Sequence, residues 1–241
     1  MLQRIAIVLR IFLIAFFIYS VLFTLVGTIV VIKARSDIFE AIDEVRAMRG
    51  ENPTMSRFMK DLVDSSPKVA IKHTFVPLDS ISKNLKRAVI AVEDPSFYFH
   101  PGFDVRGIAA AVDANMASGK LLYGGSTITQ QLAKNMFLTG ERTWGRKVRE
   151  LGYALIMEYE LGKDRILELY LNYAQWGKDI FGCEAASEAY YEIHCYELNE
   201  TQAINLAAML ASPGNHHPED NDSFMEKRRA IARQFLPQVR E

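Results

Sequence analysis

From Ile11 to Ile32 the chain runs for 22 residues without a charged side chain. A helix needs about 20 apolar residues to cross the hydrocarbon core of a bilayer, so this run predicts a transmembrane helix over 11–32. A cleaved signal peptide has a shorter apolar core, roughly 7–15 residues, and ends in small residues that suit a peptidase. Val31-Ile32-Lys33-Ala34-Arg35 is not such an ending. A buried helix of a soluble domain is rarely so uniformly apolar. Arg4 and Arg10 precede the run and Lys33 and Arg35 follow it, so the positive-inside bias is nearly balanced. The acidic Asp37, Glu40, Asp43 and Glu44 beyond it tip the reading toward a cytoplasmic segment 1–10, with the rest of the chain across the membrane.

The remainder of this 241-residue chain has room for one large domain and not for two catalytic ones. A formal net charge of −1 provides no electrostatic footprint for nucleic acid, and no nucleic-acid partner is expected. Residues 33–70 are mixed and polar, broken at Glu51-Asn52-Pro53-Thr54. They read as a juxtamembrane linker with one or two short helices, such as 56–63, ahead of a domain over 71–241. Asp79 or Ser80 is placed to cap a helix whose Leu85, Ala88, Val89 and Val92 share one face. Pro95 sets the end of that helix near Glu93. Further helices are predicted from 103 to about 118, from Ser126-Thr127 to about Phe137, from Thr143 to Leu161 with Gly162 as its stop, and from Lys163 to Asn172. Others follow over 182–191, over 200–211 with Asn199 and Gln202 as a capping box, and in a basic segment that ends before Pro237. Lys120 to Gly125 reads as a flexible connection able to move over a groove. Strand signals are confined to 68–75. The domain is mainly α.

Only two cysteines occur, Cys183 and Cys195. Their spacing neither requires nor forbids a disulfide, because geometry decides; an oxidising compartment would favour a bridge and a reducing one would leave two small buried side chains. His216-His217 reads as a solvated turn rather than a metal site, for want of a third ligand at fitting spacing.

Four clusters carry chemistry. Glu93 closes the apolar run Ala88-Val89-Ile90-Ala91-Val92; a carboxylate there is costly to bury unless it is paired or used, which marks it as a candidate general base. In Gly125-Ser126-Thr127-Ile128-Thr129-Gln130-Gln131-Leu132-Ala133-Lys134-Asn135, hydroxyls and free N–H groups at a helix start form an anion site, and Lys134 adds a point charge. Arg142, Arg146 and Arg149 recur on one helical face beside Glu150, a cationic wall suited to a diphosphate. The last is Lys163-Asp164-Arg165-Ile166-Leu167-Glu168-Leu169-Tyr170-Leu171-Asn172.

Taken in order, Glu-Asp-x-x-Phe-x-x-His-x-Gly, Gly-x-Ser-Thr-Ile-Thr-Gln-Gln-x-x-Lys-Asn, Arg-Lys-x-x-Glu and Lys-x-x-Ile-Leu-Glu-x-Tyr-Leu-Asn resemble the motifs of the peptidoglycan glycosyltransferase family. That family unites the transglycosylase modules of class A penicillin-binding proteins with the monofunctional biosynthetic peptidoglycan transglycosylases. The resemblance spans roughly 75–213, and no Ser-x-x-Lys constellation of a transpeptidase follows it, so the monofunctional form is the nearer match. It implies a lysozyme-like helical fold with a membrane-associated part beside the groove, at the outer face of a bacterial cytoplasmic membrane. The implied reaction moves a growing glycan from undecaprenyl diphosphate onto the 4-hydroxyl of lipid II, with inversion. Glu93 would be the base and Glu150 the second carboxylate, placed near the leaving diphosphate or on a divalent cation (Mg or Mn). Ser126, Gln130, Lys134, Arg142 and Arg146 would hold sugar and diphosphate, and Asp94 and His100 would support the first motif. Lipid II, nascent glycan, the membrane and other cell-wall synthesis proteins would be the partners.

The chain departs from the family in three places. Tyr173-Ala174-Gln175-Trp176-Gly177 stands where a Tyr-or-Glu-Phe-Gly segment is usual. Tyr190-Tyr191-Glu192-Ile193-His194-Cys195 lacks the lysine of the fifth motif, and Leu210-Ala211-Ser212-Pro213 replaces a Leu-Pro-x-Pro ending. Two rival readings follow: a lytic, lysozyme-like cleaver of finished glycan, which has no diphosphate to bind, and an inactive membrane-anchored scaffold.

Overall fold

The structure, a computed structural model, describes residues 2–109, 116, 125–140 and 143–239, with side chains from residue 12 onward except at 15. The chain divides into two compact units, Met1–Glu44 and Val45–Glu241. The first helix, α1 (Leu2–Ala47), is unbroken through the expected span and well past it. From Phe12 on it is long and apolar enough to cross a membrane, and Phe12, Phe16, Phe17, Leu22, Phe23 and Ile29 stand exposed on it. Three of its hydroxyls are satisfied within the helix: Ser20, Thr24 and Thr28 donate to the carbonyls of Phe16, Ser20 and Thr24 at 2.8–2.9 Å. That arrangement lets these three side chains sit in an apolar surrounding without seeking water.

The second unit is mainly α. Its helices are α2 (Arg57–Ser65), α3 (Lys83–Glu93), α4 (Ile128–Phe137), α5 (Trp144–Glu160), α6 (Lys163–Tyr173), α7 (Cys183–Tyr191), α8 (Glu200–Met209) and α9 (Ser223–Phe235). Residues 105–109 and 116 are also helical; the remainder of the helix expected over 103–118, and the connection at 120–124, lie outside the described residues. The centre of the core is α3, with Leu85, Ala88, Val89, Ile90, Ala91 and Val92 buried. It packs on α8 and α9, while α4 packs on α5 and α6. Burying an aliphatic side chain the size of Leu85 stabilises the fold by roughly 1.5–3 kcal/mol.

Several ends fall where their capping residues place them. Thr127, Thr143 and Asn199 are N-caps with side chains accepting from the first turn, and Gly162, at φ +75°, joins α5 to α6. The cap of α3 is shifted from expectation. Leu78–Ser80 forms a 3-10 turn instead, and Ser82 caps the helix, its Oγ accepting from Asn84 N–H and donating to the Leu198 carbonyl. Of the expected strand over 68–75, only β1 (Lys72–His73) forms; it pairs in parallel with β2 (Ile180–Phe181), which the sequence reading did not anticipate. Asn172 stands in for a further strand partner: its side chain accepts from Val76 N–H and donates to Val76 C=O, both at 2.9 Å.

Residues between Val45 and Ser65 contribute to the core of this unit. Val45, Met48 and Met59 are buried, Arg46 and Arg49 pair with Glu160 at 3.0 and 2.7 Å, and Arg165 donates to the carbonyls of Met48 and Glu51.

Candidate active site

Glu93 is the last residue of α3, and its side chain is 8% exposed. It is not an isolated carboxylate. Gln131 Nε2 donates to Oε2 at 2.7 Å, and Arg228, on α9, forms an ion pair with Oε1. One amide and one cation therefore offset the cost of burying the charge. Tyr170, on α6, donates its hydroxyl to Gln131 Oε1 at 3.0 Å. Burial first, and then the neighbouring Glu93 charge, push the Tyr170 pKa well above its ordinary value. The phenol thus keeps its proton, and a donor at Gln131 Oε1 turns the amide's own N–H toward Glu93.

Asp94, the next residue, is spent on architecture. His100 Nε2 lies 2.9 and 3.0 Å from its two oxygens, and Ile128 N–H donates to Oδ2 at 3.1 Å. His100 Nδ1 accepts from Gly102 N–H, which leaves Nε2 as the protonated nitrogen facing Asp94. Gly102 has φ +91°, and a Cβ there would lie 2.9 Å from Glu158 Cγ and 3.2 Å from the Ala154 carbonyl oxygen. Only glycine meets both demands. Thr127 Oγ1 donates to the Gly102 carbonyl at 2.7 Å, so the turn after Glu93 is tied to the start of α4 and fitted against α5.

That start is not the open anion site the sequence suggested. Thr127 N–H donates to Gln130 Oε1, Gln130 N–H donates to Thr127 Oγ1, and Ile128 N–H donates to Asp94. A protein carboxylate already occupies the positive end of the helix. Gln130 is buried and closes the capping box, while its neighbour Gln131 is the residue that reaches Glu93. Thr127-x-x-Gln130 has the same spacing as Asn199-x-x-Gln202, so the distinction was present in the sequence.

Glu150 is 3% exposed and held by cations of its own helix. Arg146 Nη1 donates to Oε2 at 2.8 Å and Lys147 pairs with Oε1. Lys147 Nζ also donates to Ser126 Oγ at 3.2 Å, which draws Ser126 into the group. The expected wall of three arginines is rearranged: Arg149 is exposed, Lys147 takes its place beside Glu150, and Arg142 lies outside the described residues. Lys134 is solvent-accessible, yet enough protein surrounds it for desolvation to lower its pKa. Glu150 and Glu93 act to raise it, and Arg146 and Lys147 to lower it further. Lys134 therefore lies within electrostatic reach of both carboxylates and both neighbouring cations.

Glu150 does not fit a resident metal, since both of its oxygens are taken by cations. Among the described residues, two groups bring metal-ligating atoms together elsewhere: Glu184, Glu188 and His194, and His216, Asp220 and Asp222. The second supplies the neighbours that His216 lacked in the sequence reading. Its carboxylates accept from His217 N–H and from the Phe224 and Met225 N–H groups in the first turn of α9, and Asp222 also pairs with His216.

One face of α5 is apolar and open. Trp144, Val148, Leu151, Leu155 and Tyr159 recur at helical spacing and are all exposed, Trp144 by 89%. Phe99, Val105, Ile108 and Met116 are exposed as well. Glu150, Ala154 and Met157 lie on the opposite, buried side.

The departure over 173–177 falls in packed structure, whereas Glu192 and His194 of the second and Ala211 of the third are exposed. Trp176 is fully buried, and its carbonyl accepts from Tyr190 O–H at 3.1 Å. Gly177 is closely approached by Ile180 and Tyr190, and His194 pairs with Glu184 at 2.6 Å.

Residues 60–235 match the family model described as Transglycosylase. The chain is 42% identical over 181 residues to the biosynthetic peptidoglycan transglycosylase of Janthinobacterium sp. (strain Marseille), covering 73% of this chain and 78% of that protein. It is 45% identical over 169 residues to the protein of that name in Thiobacillus denitrificans, covering 70% and 73%. Against the one in Methylobacillus flagellatus it is 46% identical over 166 residues, covering 67% and 72%.

Proposed function

Because the chain belongs to the transglycosylase family, we propose that it is a peptidoglycan glycosyltransferase that polymerises lipid II. In this reading the growing glycan leaves undecaprenyl diphosphate and is joined through its anomeric carbon to the 4-hydroxyl of an incoming lipid II. Glu93 takes the proton of that hydroxyl. A base on the face opposite the leaving group gives inversion, as in inverting glycosidases. The diphosphate departs toward Lys134, Arg146 and Lys147, where fixed cations meet the charge that develops on it. Glu150 holds Arg146 and Lys147 in place, and Ser126 lies beside Lys147 to receive sugar or phosphate oxygens. Arg142 belongs to the same cationic group by its position in the sequence.

A single observation carries this reading: Gln131 on α4 donates to Glu93 at 2.7 Å, while Ser126, just ahead of the same helix, accepts at 3.2 Å from Lys147, the cation paired with Glu150. In this reading the candidate base and the candidate diphosphate site lie along one helix and its leading turn. A divalent cation would arrive on the diphosphate itself, the usual way Mg²⁺ is carried, since the oxygens of Glu150 are already taken.

Residues 11–32 span the bacterial cytoplasmic membrane in this assignment, with 1–10 on the cytoplasmic side and the catalytic domain at the outer face. A lipid-linked substrate is confined to that surface. The apolar face of α5 provides a surface for its polyprenyl chain or for the bilayer edge.

The test is to give purified full-length protein lipid II in detergent and to follow glycan chains by gel and mass spectrometry. Polymer with β-1,4 linkages is expected. No polymer from folded protein overturns the reading, and release of anhydro-sugar ends from preformed wall would assign the chain to lytic chemistry.

A further inference from the structure

Two thiols meet in the lobe that departs from the family pattern. Cys183 is the first residue of α7 and Cys195 opens the 3-10 turn Cys195–Glu197. Both are 0% exposed, and their sulfurs lie 3.6 Å apart. A disulfide has S–S of about 2.05 Å, so about 1.5 Å of sulfur movement separates the pair from a bond. The backbone of Cys195 is already fixed on both sides. Its N–H donates to Glu184 Oε2 at 2.9 Å, and its carbonyl accepts from Ser82 N–H at 3.3 Å. Its thiol donates to the Ser80 carbonyl. Glu184, next to Cys183, thus anchors the very residue that Cys183 faces.

We propose that Cys183 and Cys195 are bridged by a disulfide in the protein at the membrane, a covalent staple within this lobe. The inference rests on the proposed outer-face placement of the domain, where thiols meet an oxidising environment. In the reaction each cysteine loses one proton and one electron, and the S–S bond forms between the two sulfurs. The electron pair and protons pass to the disulfide of a thiol–disulfide oxidoreductase, which leaves as a dithiol. Exchange needs an accessible thiolate. The folded pair offers none to an outside oxidant, because both thiols are 0% exposed, so the bond is made while this lobe is still open. The staple ties the start of α7 to the turn that supports Ser80 and Ser82. Those residues lead into α3, whose other end bears Glu93.

The experiment quenches membranes from cells expressing the full chain in acid, denatures them without reductant and labels thiols with a heavy maleimide. No label before reduction and two after it, with an intact mass about 2 Da lower before reduction, are expected from the loss of two hydrogens on bridging. Two labels before reduction overturn the proposal. Purified protein refolded in glutathione buffer then locates the fault. If the bridge forms there, placement failed; if it does not, the geometry failed. Lipid II polymerisation is read separately and does not depend on either result. Reduction should lower the melting temperature by roughly 5–10 °C, and the C183S/C195S double variant should melt at that lower temperature and not respond to reductant. An unchanged melting point after reduction would refute the staple.

Discussion

The two carboxylates of the candidate site are buried to a similar degree and held in opposite ways. Glu150 is clasped by Arg146 and Lys147, four and three positions away on its own helix. These contacts are set by helix geometry and form wherever α5 forms. Glu93 is met by Gln131 from α4 and Arg228 from α9, which reach it only when three helices pack together. The first carboxylate is saturated with local positive charge and suits the task of fixing cations. The second has a neutral amide on one oxygen and, on the other, a single cation drawn from far along the chain, so in the proposed reaction a substrate hydroxyl would have to displace one of these partners. The difference is what the proposal reads as two roles, which burial alone does not distinguish.

Glu93→Gln is expected to break the proposed chemistry outright, with polymerisation falling by about 10³-fold, within the usual range for losing a general base, and helix content unchanged by circular dichroism. Glu150→Gln should cost less, roughly 10- to 100-fold, and much of it in KM, because it loosens cations rather than removing the base. Equal losses in the two variants would erase the contrast. Gln131→Leu should slow turnover by about tenfold, since it frees Glu93 Oε2 and leaves the buried Tyr170 hydroxyl unpartnered; a rate equal to the parent would remove Gln131 from the site.

A subtler effect concerns Lys134, whose pKa is lowered by desolvation. Its ammonium is lost as pH rises through that lowered value, so kcat/KM should fall on the alkaline side below the pH at which an ordinary lysine titrates. Lys134→Arg should carry activity to higher pH. Stability moves the other way: the native state binds this proton less tightly than the unfolded chain, so the residue's contribution becomes more favourable as pH rises across the window. Coincident alkaline limbs for parent and Lys134→Arg would deny Lys134 its role. The smallest change is expected for Gln130→Leu, about 1 kcal/mol of stability from a lost capping contact, read by denaturant unfolding, with polymerisation nearly intact.

The sequence made the helices of the domain legible because their ends are chemically marked. Thr127, Thr143, Asn199 and Gly162 stop or start helices by local hydrogen bonding and backbone freedom, and such signals survive without knowledge of the fold. Glu93 and Glu150 were legible for a similar reason, one closing an apolar run and the other flanked by cations at helical spacing. Arg228 was not. It lies 135 positions from Glu93, and nothing in the local pattern of α9 separates it from Lys227 or Arg233 on a solvated face. The two-residue strand β2 was missed because Ile180-Phe181 is too short to show alternation. Ser82 escaped notice as a cap because its Oγ is also committed to Leu198, a contact between segments far apart in the chain.

The Asp94–Ile128 hydrogen bond has a consequence for anyone recombining members of this family. Because a carboxylate from the turn after Glu93 occupies the first N–H of α4, the two segments work as lock and key, and neither is a free-standing cassette. A chimaera that exchanges residues 93–102 alone sets a foreign acid against a native helix start, while one that exchanges 93–137 carries both halves of the joint. Crossovers placed outside that span should give folded hybrids, and crossovers within it should be the ones that fail.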